Sequence, residues 1–167
     1  MSNNIREAHI EDAKNVIDYI KKMSDETDFL MSGSDERLLD VKKEEEFLQN
    51  IQHLRLEKMF LYEIDKKIVG ICSIKGLNKK RVKHRVDLGI TVLKDYWSNG
   101  IGTKLLEHAI NYCRVNSIEK IELTVRTDNE RALKLYKKEG FEVEGEIKKF
   151  FYINGVYYNC YIMGLFV

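Results

Sequence analysis

The residues around Gly100 and Gly102 constrain the fold of this chain more than any others. Before them, Arg85 to Leu93 alternates Val86, Leu88, Ile90 and Val92 on one face, the two-residue period of a half-buried strand. After them, Ile101, Leu105, Ala109 and Cys113 recur every four residues, with Leu106 and Ile110 widening the stripe, which is the period of an amphipathic helix. Two glycines between a strand and a helix mark a tight turn. Lacking Cβ atoms, they let successive N–H groups converge on an anion, and the helix that follows adds the partial positive charge of its N-terminus. Ser98 to Thr103 therefore outline a phosphate cradle whose donors are main-chain groups. A third glycine near Leu105 would make a dinucleotide fingerprint and a Gly-Lys-Ser/Thr run a Walker loop, and the sequence has neither.

The rest of the chain supplies a sheet and its covering helices. Ile5 to Ala8 reads as an opening strand, and Val16, Ile17, Ile20 and Met23 as a helix face. Ser24 to Ser34 reads as a loop, followed by a second helix over Lys43 to Leu54. Phe60 to Ile64, an Asp65-Lys66-Lys67 turn and Ile68 to Ile74 form a hairpin, and Ile121, Leu123 and Val125 a further half-buried strand. Thr127 or Asp128 is expected to cap the next helix, with Glu130 completing a capping box from Thr127; Gly140 stops it. Phe141 to Tyr152 and Tyr157 to Phe166 flank an Asn154-Gly155 hairpin turn. With no proline, turns fall to Gly, Asn, Asp and Ser. The sum is an α/β fold: a mixed, mostly antiparallel central sheet with flanking helices, in a single domain over residues 1–167.

Composition narrows the function classes. A formal net charge of +1 gives no whole-molecule attraction to nucleic acid or anionic membranes. The chain opens without a secretory signal pattern, and no apolar run approaches the ~20 residues of a membrane span, so a cytoplasmic protein is expected. Cys72, Cys113 and Cys160, odd in number and widely spaced, read as buried thiols; His9, His53, His84 and His108 show no metal-ligand spacing.

Three segments in order resemble the GNAT superfamily of N-acetyltransferases. The glycine turn resembles the acyl-CoA pyrophosphate motif Arg/Gln-x-x-Gly-x-Gly/Ala, with Gly100 and Gly102 on its small positions and Trp97 where the pattern has Arg or Gln. Asn129 to Phe141 resembles the motif Asn-x-x-Ala-x-x-x-Tyr-x-x-x-Gly-Phe, and Gly145-Glu146 to Tyr158 and Met163 resembles the closing hairpin of bacterial members. The resemblance spans nearly the whole chain. It implies acetyl-CoA as co-substrate, no metal, and direct transfer of acetyl to a primary amine in a ternary complex. It also implies main-chain contacts from Ile90, Thr91 and Val92 to the pantetheine arm, a pyrophosphate wrapped by Trp97, Ser98, Asn99, Gly100, Ile101, Gly102 and Thr103, and a thioester bordered by Asn129 and Tyr136.

The chemistry needs a proton donor for the leaving thiolate and a base for the ammonium. Tyr136 is the candidate acid. Asp87, on the strand face opposite Val86 and Leu88, is the candidate base, provided that burial or a water relay adapts it. Asn129 has a second role open to it as a helix cap. The acidic run Asp25, Glu26, Asp28, Asp35 and Glu36, with Phe29 and Met31, would suit a cationic small-molecule amine, and relatives build acceptor pockets from that region. Lys79 to Arg85 could meet the CoA 3′-phosphate or nucleic acid, although no aromatics are interleaved there to stack bases. A non-catalytic acyl-CoA sensor is the alternative, and a homodimer through the final strand is open.

Overall fold

The computed structural model describes residues 4–31 and 40–167. Strand β1 (Ile5–Glu7) leads through a 3-10 turn (Ile10–Asp12) into helix α1 (Ala13–Glu26) and then α2 (Val41–Ile51). Strands β2 (Glu57–Ile64), β3 (Lys67–Lys75) and β4 (Arg85–Val92) follow, then α3 (Ile101–Val115), β5 (Lys120–Arg126), α4 (Glu130–Lys138), β6 (Glu142–Ile153) and β7 (Val156–Phe166). The seven strands form one sheet in the order β1-β2-β3-β4-β5-β7-β6. Every pairing is antiparallel except β4 with β5. The expected mixed, mostly antiparallel sheet is therefore the observed one.

Strand alternation divides the apolar residues between two cores, one on each face. Phe60, Val69, Cys72, Val86, Leu88 and Ile121 point to the face covered by α3 and α4, where Leu105, Leu106, Ala109 and Tyr136 meet them. Leu61, Ile68, Ile71 and Met59 point to the other, under Val16, Tyr19 and Met23 of α1 and Leu48 of α2. Helix α3 lies close to β3 because residue 70 is glycine: a Cβ there would stand 2.9 Å from Leu105 Cδ1 and 3.2 Å from Ile101 Cγ2. All three cysteines are free and buried.

Several boundaries differ from the sequence reading, each for a local reason. Helix α1 runs on to Glu26, so Ser24 is helical and buried; residues 32–34 of the expected loop, like Asp35 and Glu36, lie outside the described residues. Helix α2 starts two residues early because the Asp40 side chain accepts from Lys42 N at 2.9 Å. Neither Thr127 nor Asp128 caps α4: Asn129 does, its side chain accepting from Ala132 N at 3.3 Å, while Asp128 is held by Arg126. The Asn154-Gly155 turn is as expected, with φ of 50° and 81°. No helix among the described residues is long and apolar enough to cross a membrane.

Candidate functional site

The site follows from the one parallel pairing. Strands β4 and β5 are bonded only over Arg85–Asp87 and Lys120–Glu122, and from Leu88 onward they part. Leu93 N donates to Val69 O at 2.9 Å, on the β3 side. Alternation then spends the main chain of Thr91 on β3, opposite Ile71, and turns that of Ile90 and Val92 toward the gap. A cleft of about 960 Å³ occupies this gap, lined by Ile90 and Val92, the glycine turn, α4 and the end of α1. Of the three residues expected to offer main-chain contacts, Ile90 and Val92 have their main chain turned to the cleft. Thr91 instead presents its hydroxyl, which accepts from Tyr19 Oη at 2.9 Å.

At the open end of β4 the chain turns through Ser98 (φ 62°) and Gly100 (φ 74°), both left-handed, before α3 begins. Among the described residues, none of the six consecutive N–H groups from Ser98 to Thr103 donates to a carbonyl or side chain; the first bond of the helix is Lys104 N to Gly100 O at 3.1 Å. Ser98, Asn99 and Gly100 are exposed. Unpaired N–H groups in succession, left-handed backbone at Ser98 and Gly100, and a helix start make an anion nest. These residues fit a diphosphate with donors alone. Trp97 serves the turn differently: its indole N–H donates to Val92 O at 2.7 Å, fastening the turn to the strand that feeds it.

Tyr136, on α4, packs against Phe141 with ring centroids 5.7 Å apart and reaches the cleft from the α3/α4 side. Burial raises its phenol above the ordinary value, helped by Cys72, so the hydroxyl keeps its proton throughout the neutral range. No described group accepts from it. Asn129 reaches the same cleft while capping α4.

Asp87 also lines the cleft, on the face toward α1. Its side chain is 73% exposed and stands 3.8 Å from Arg85, whose guanidinium also pairs with Glu122. The burial that would adapt this carboxylate to an amine is absent, which leaves the water relay.

The end of the cleft beside α1, from which an acceptor pocket was expected, differs from the sequence expectation. Its walls are largely apolar: Ile20, Met23, Phe29, Leu30, Phe150 and Phe151 line it. Three described carboxylates nearby have partners of their own. Glu26 Oε2 accepts from Lys94 N at 2.7 Å. Asp128 holds Arg126 by two bonds, of 2.9 and 2.7 Å, and Asp28 stands 3.4 Å from the same guanidinium. Arg126, 4% exposed, is stacked between Phe29 at 4.5 Å and Tyr158 at 3.7 Å. It thus clamps the segment after α1 to the sheet. Tyr19, Arg126 and the Phe150/Phe151 pair escaped the sequence reading as site residues, since each owes its place to partners remote in sequence. Arg126 carried one signal: an arginine two residues before an aspartate at the end of a strand.

The Lys79 to Arg85 cluster lies where β4 and β5 are still joined, with His84 O accepting from Glu119 N at 2.7 Å. The length of β4, about 23 Å, separates it from the nest. It is therefore too distant to meet a 3′-phosphate on a ligand seated at Ser98 to Thr103.

Comparison with known proteins agrees with this geometry. A model described as the Acetyltransferase (GNAT) family matches residues 23–141. The chain is 39% identical over 101 residues to the L-amino acid N-acetyltransferase of Escherichia coli (strain K12), covering 60% of this chain and 62% of that one. It spans, then, less than two thirds of that curated relative's length. A crystal structure of an acetyltransferase of the GNAT family from Streptococcus pneumoniae superimposes with a TM-score of 0.95 at 37% identity, covering 98% of both chains. The Salmonella typhimurium protein yncA, solved with its cofactor acetyl-CoA, has the same fold: TM-score 0.85 at 18% identity, covering 97% of this chain and 92% of that one.

Proposed function

Since the chain belongs to the acetyltransferase (GNAT) family, we propose that it is an acetyl-CoA-dependent N-acetyltransferase, a single catalytic domain acting on a small-molecule primary amine. The observation that carries this reading is the placement of six unpaired main-chain donors, Ser98 to Thr103, on the same cleft as the parted strands and Tyr136. A metal has no part in the reading, and a cytoplasmic location goes with it.

Acetyl-CoA, when bound, supplies an acyl group on a thiolate that is already a tolerable leaving group. The chain supplies the rest. Ser98 to Thr103 hold the diphosphate by N–H donors, and the main chain of Ile90 and Val92 is turned to meet the amides of an extended arm. The same strand edge offers an N–H at Val92 to a carbonyl oxygen gaining charge. Tyr136 holds its proton at Oη. Since its pKa is raised far above that of a thiol, full transfer to a thiolate is uphill, so the hydroxyl acts chiefly as a hydrogen-bond donor to the sulfur. Asp87, its side chain 73% exposed, takes up the ammonium proton through water.

The acceptor end favours an amine with an apolar body. Its lining is aromatic and aliphatic, and Asp28, Asp128 and Glu26 are engaged, so a second ammonium of a polyamine finds little to pair with among the described residues. The test is an amine panel with thiol detection, in which apolar amino-acid esters, aromatic amines and polyamines are compared for CoA release. Release that depends on an added amine supports the enzyme. CoA binding without any amine-dependent release favours the sensor.

A further inference from the structure

In the pyrophosphate motif that this chain resembles, a long polar side chain precedes the glycine turn; here that position is Trp97, whose indole N–H is spent on Val92 O. The structure puts a cation back by another route. Helix α4 packs on the start of α3 closely enough that a Cβ on Gly102 would stand 3.3 Å from Leu135 Cδ2. Arg131 lies four residues before Leu135, hence on the same face of α4, one turn nearer the mouth of the cleft. Its guanidinium carbon lies 3.1 Å from the centre of the Trp97 ring, a stacked arrangement that leaves its edge N–H groups free to donate. Arg131 lines the cleft and makes no ion pair or hydrogen bond with any described residue. An arginine held flat against an aromatic ring, beside six unpaired N–H groups and without a carboxylate of its own, has the fork geometry that suits a phosphoryl group.

We infer that Arg131, held in place by Trp97, is the side-chain ligand of the diphosphate of the nucleotide thioester, taking over from α4 the part that residue 97 cannot play. This rests on the proposed acetyl-CoA-dependent reading. The inference concerns affinity and seating of the donor, so Arg131 is a binding residue and takes no part in proton transfer.

The experiment uses the full chain and three variants, Arg131→Met, Arg131→Lys and Trp97→Leu, with calorimetric titration of CoA, dephospho-CoA and pantetheine. Trp97 is the chain's one tryptophan, so its emission reports directly on the stacked pair. Arg131→Met should weaken CoA and dephospho-CoA alike, by about tenfold, leave pantetheine unchanged, and alter both the emission of the free protein and its response to CoA. Arg131→Lys should recover part of the affinity but not the emission, and Trp97→Leu should weaken CoA while reducing the further loss on adding Arg131→Met. Arg131 is exposed, so its variants should melt within a few degrees of the parent, which separates lost binding from lost folding. Unchanged CoA affinity in Arg131→Met would overturn the inference, as would weakening of CoA but not of dephospho-CoA, which would assign the residue to the 3′-phosphate. A parent protein that binds no CoA would remove the functional reading itself, and this inference with it.

Discussion

The two ends of the cleft are built on opposite principles. At the nest, Ser98 to Thr103 act through main-chain N–H groups, and the side chains matter mainly for what they omit: Gly100 permits φ 74° and Gly102 lets α4 come close. At the acceptor end the main chain matters little. Phe29, Arg126, Tyr158 and Phe150 arrive from four separate parts of the chain, and the surface exists only because they meet there. A site made of backbone recognises a group common to all donors, whereas a site made of side chains can change its acceptor by substitution without disturbing the donor.

That contrast can be broken in order of effect. Gly100→Val forces a β-branched residue into the left-handed region, at a cost of about 1–3 kcal/mol, and distorts the nest. The KM for acetyl-CoA should rise about 10- to 100-fold while the KM for the amine barely moves, as measured by steady-state kinetics with each substrate varied in turn. Tyr136→Phe removes one donor and little volume, so kcat should fall by about 10- to 100-fold with CoA affinity intact. An unchanged kcat would take Tyr136 out of the chemistry.

The reverse pattern is expected at the other end. Arg126→Met releases the clamp between Asp28 and the sheet, so the amine KM should rise about tenfold and the acetyl-CoA KM stay within twofold. Should both constants move together, the two ends are not independent. Asp87→Asn should lower kcat/KM for the amine by less than about fivefold at neutral pH, because an exposed carboxylate working through water is replaceable by solvent.

pH sharpens the same comparison. The raised pKa of Tyr136 keeps its proton in place as pH climbs through 10, so kcat should show no alkaline fall from this group; a fall near pH 10 that Tyr136→Phe abolishes would contradict the burial. Arg6 holds the Asp12 carboxyl below its ordinary value, and Arg126 does the same to Asp128. A carboxyl with a depressed folded pKa contributes stability above its unfolded value, near 4, and loses it as pH falls through the folded value. The melting temperature should therefore drop below about pH 4. The smallest effect is expected in Asp12→Asn, in which that acid sensitivity is blunted.

The same division explains what was legible in the sequence. Strands and helices were readable where apolar residues kept one period, as in β4 and α3, and the nest was readable because glycines at a strand-to-helix turn have a local cause. Caps were harder. Three neighbouring residues, Thr127, Asp128 and Asn129, could each cap α4, and Asn129 does so while Asp128 bonds Arg126 two residues before it. Nothing in the acidity of Asp28 said that it would be neutralised by an arginine 98 positions away. At this end of the cleft side-chain charge was visible in the sequence, and its partners were not.

The central claim is that the N–H groups of Ser98 to Thr103 grip a diphosphate, and amide NMR tests it most directly. On titrating 15N-labelled protein with CoA, and with pantetheine as a control, these six amide protons should move downfield together with CoA alone. Amides of Ser98 to Thr103 that stay put while CoA demonstrably binds elsewhere would contradict the account.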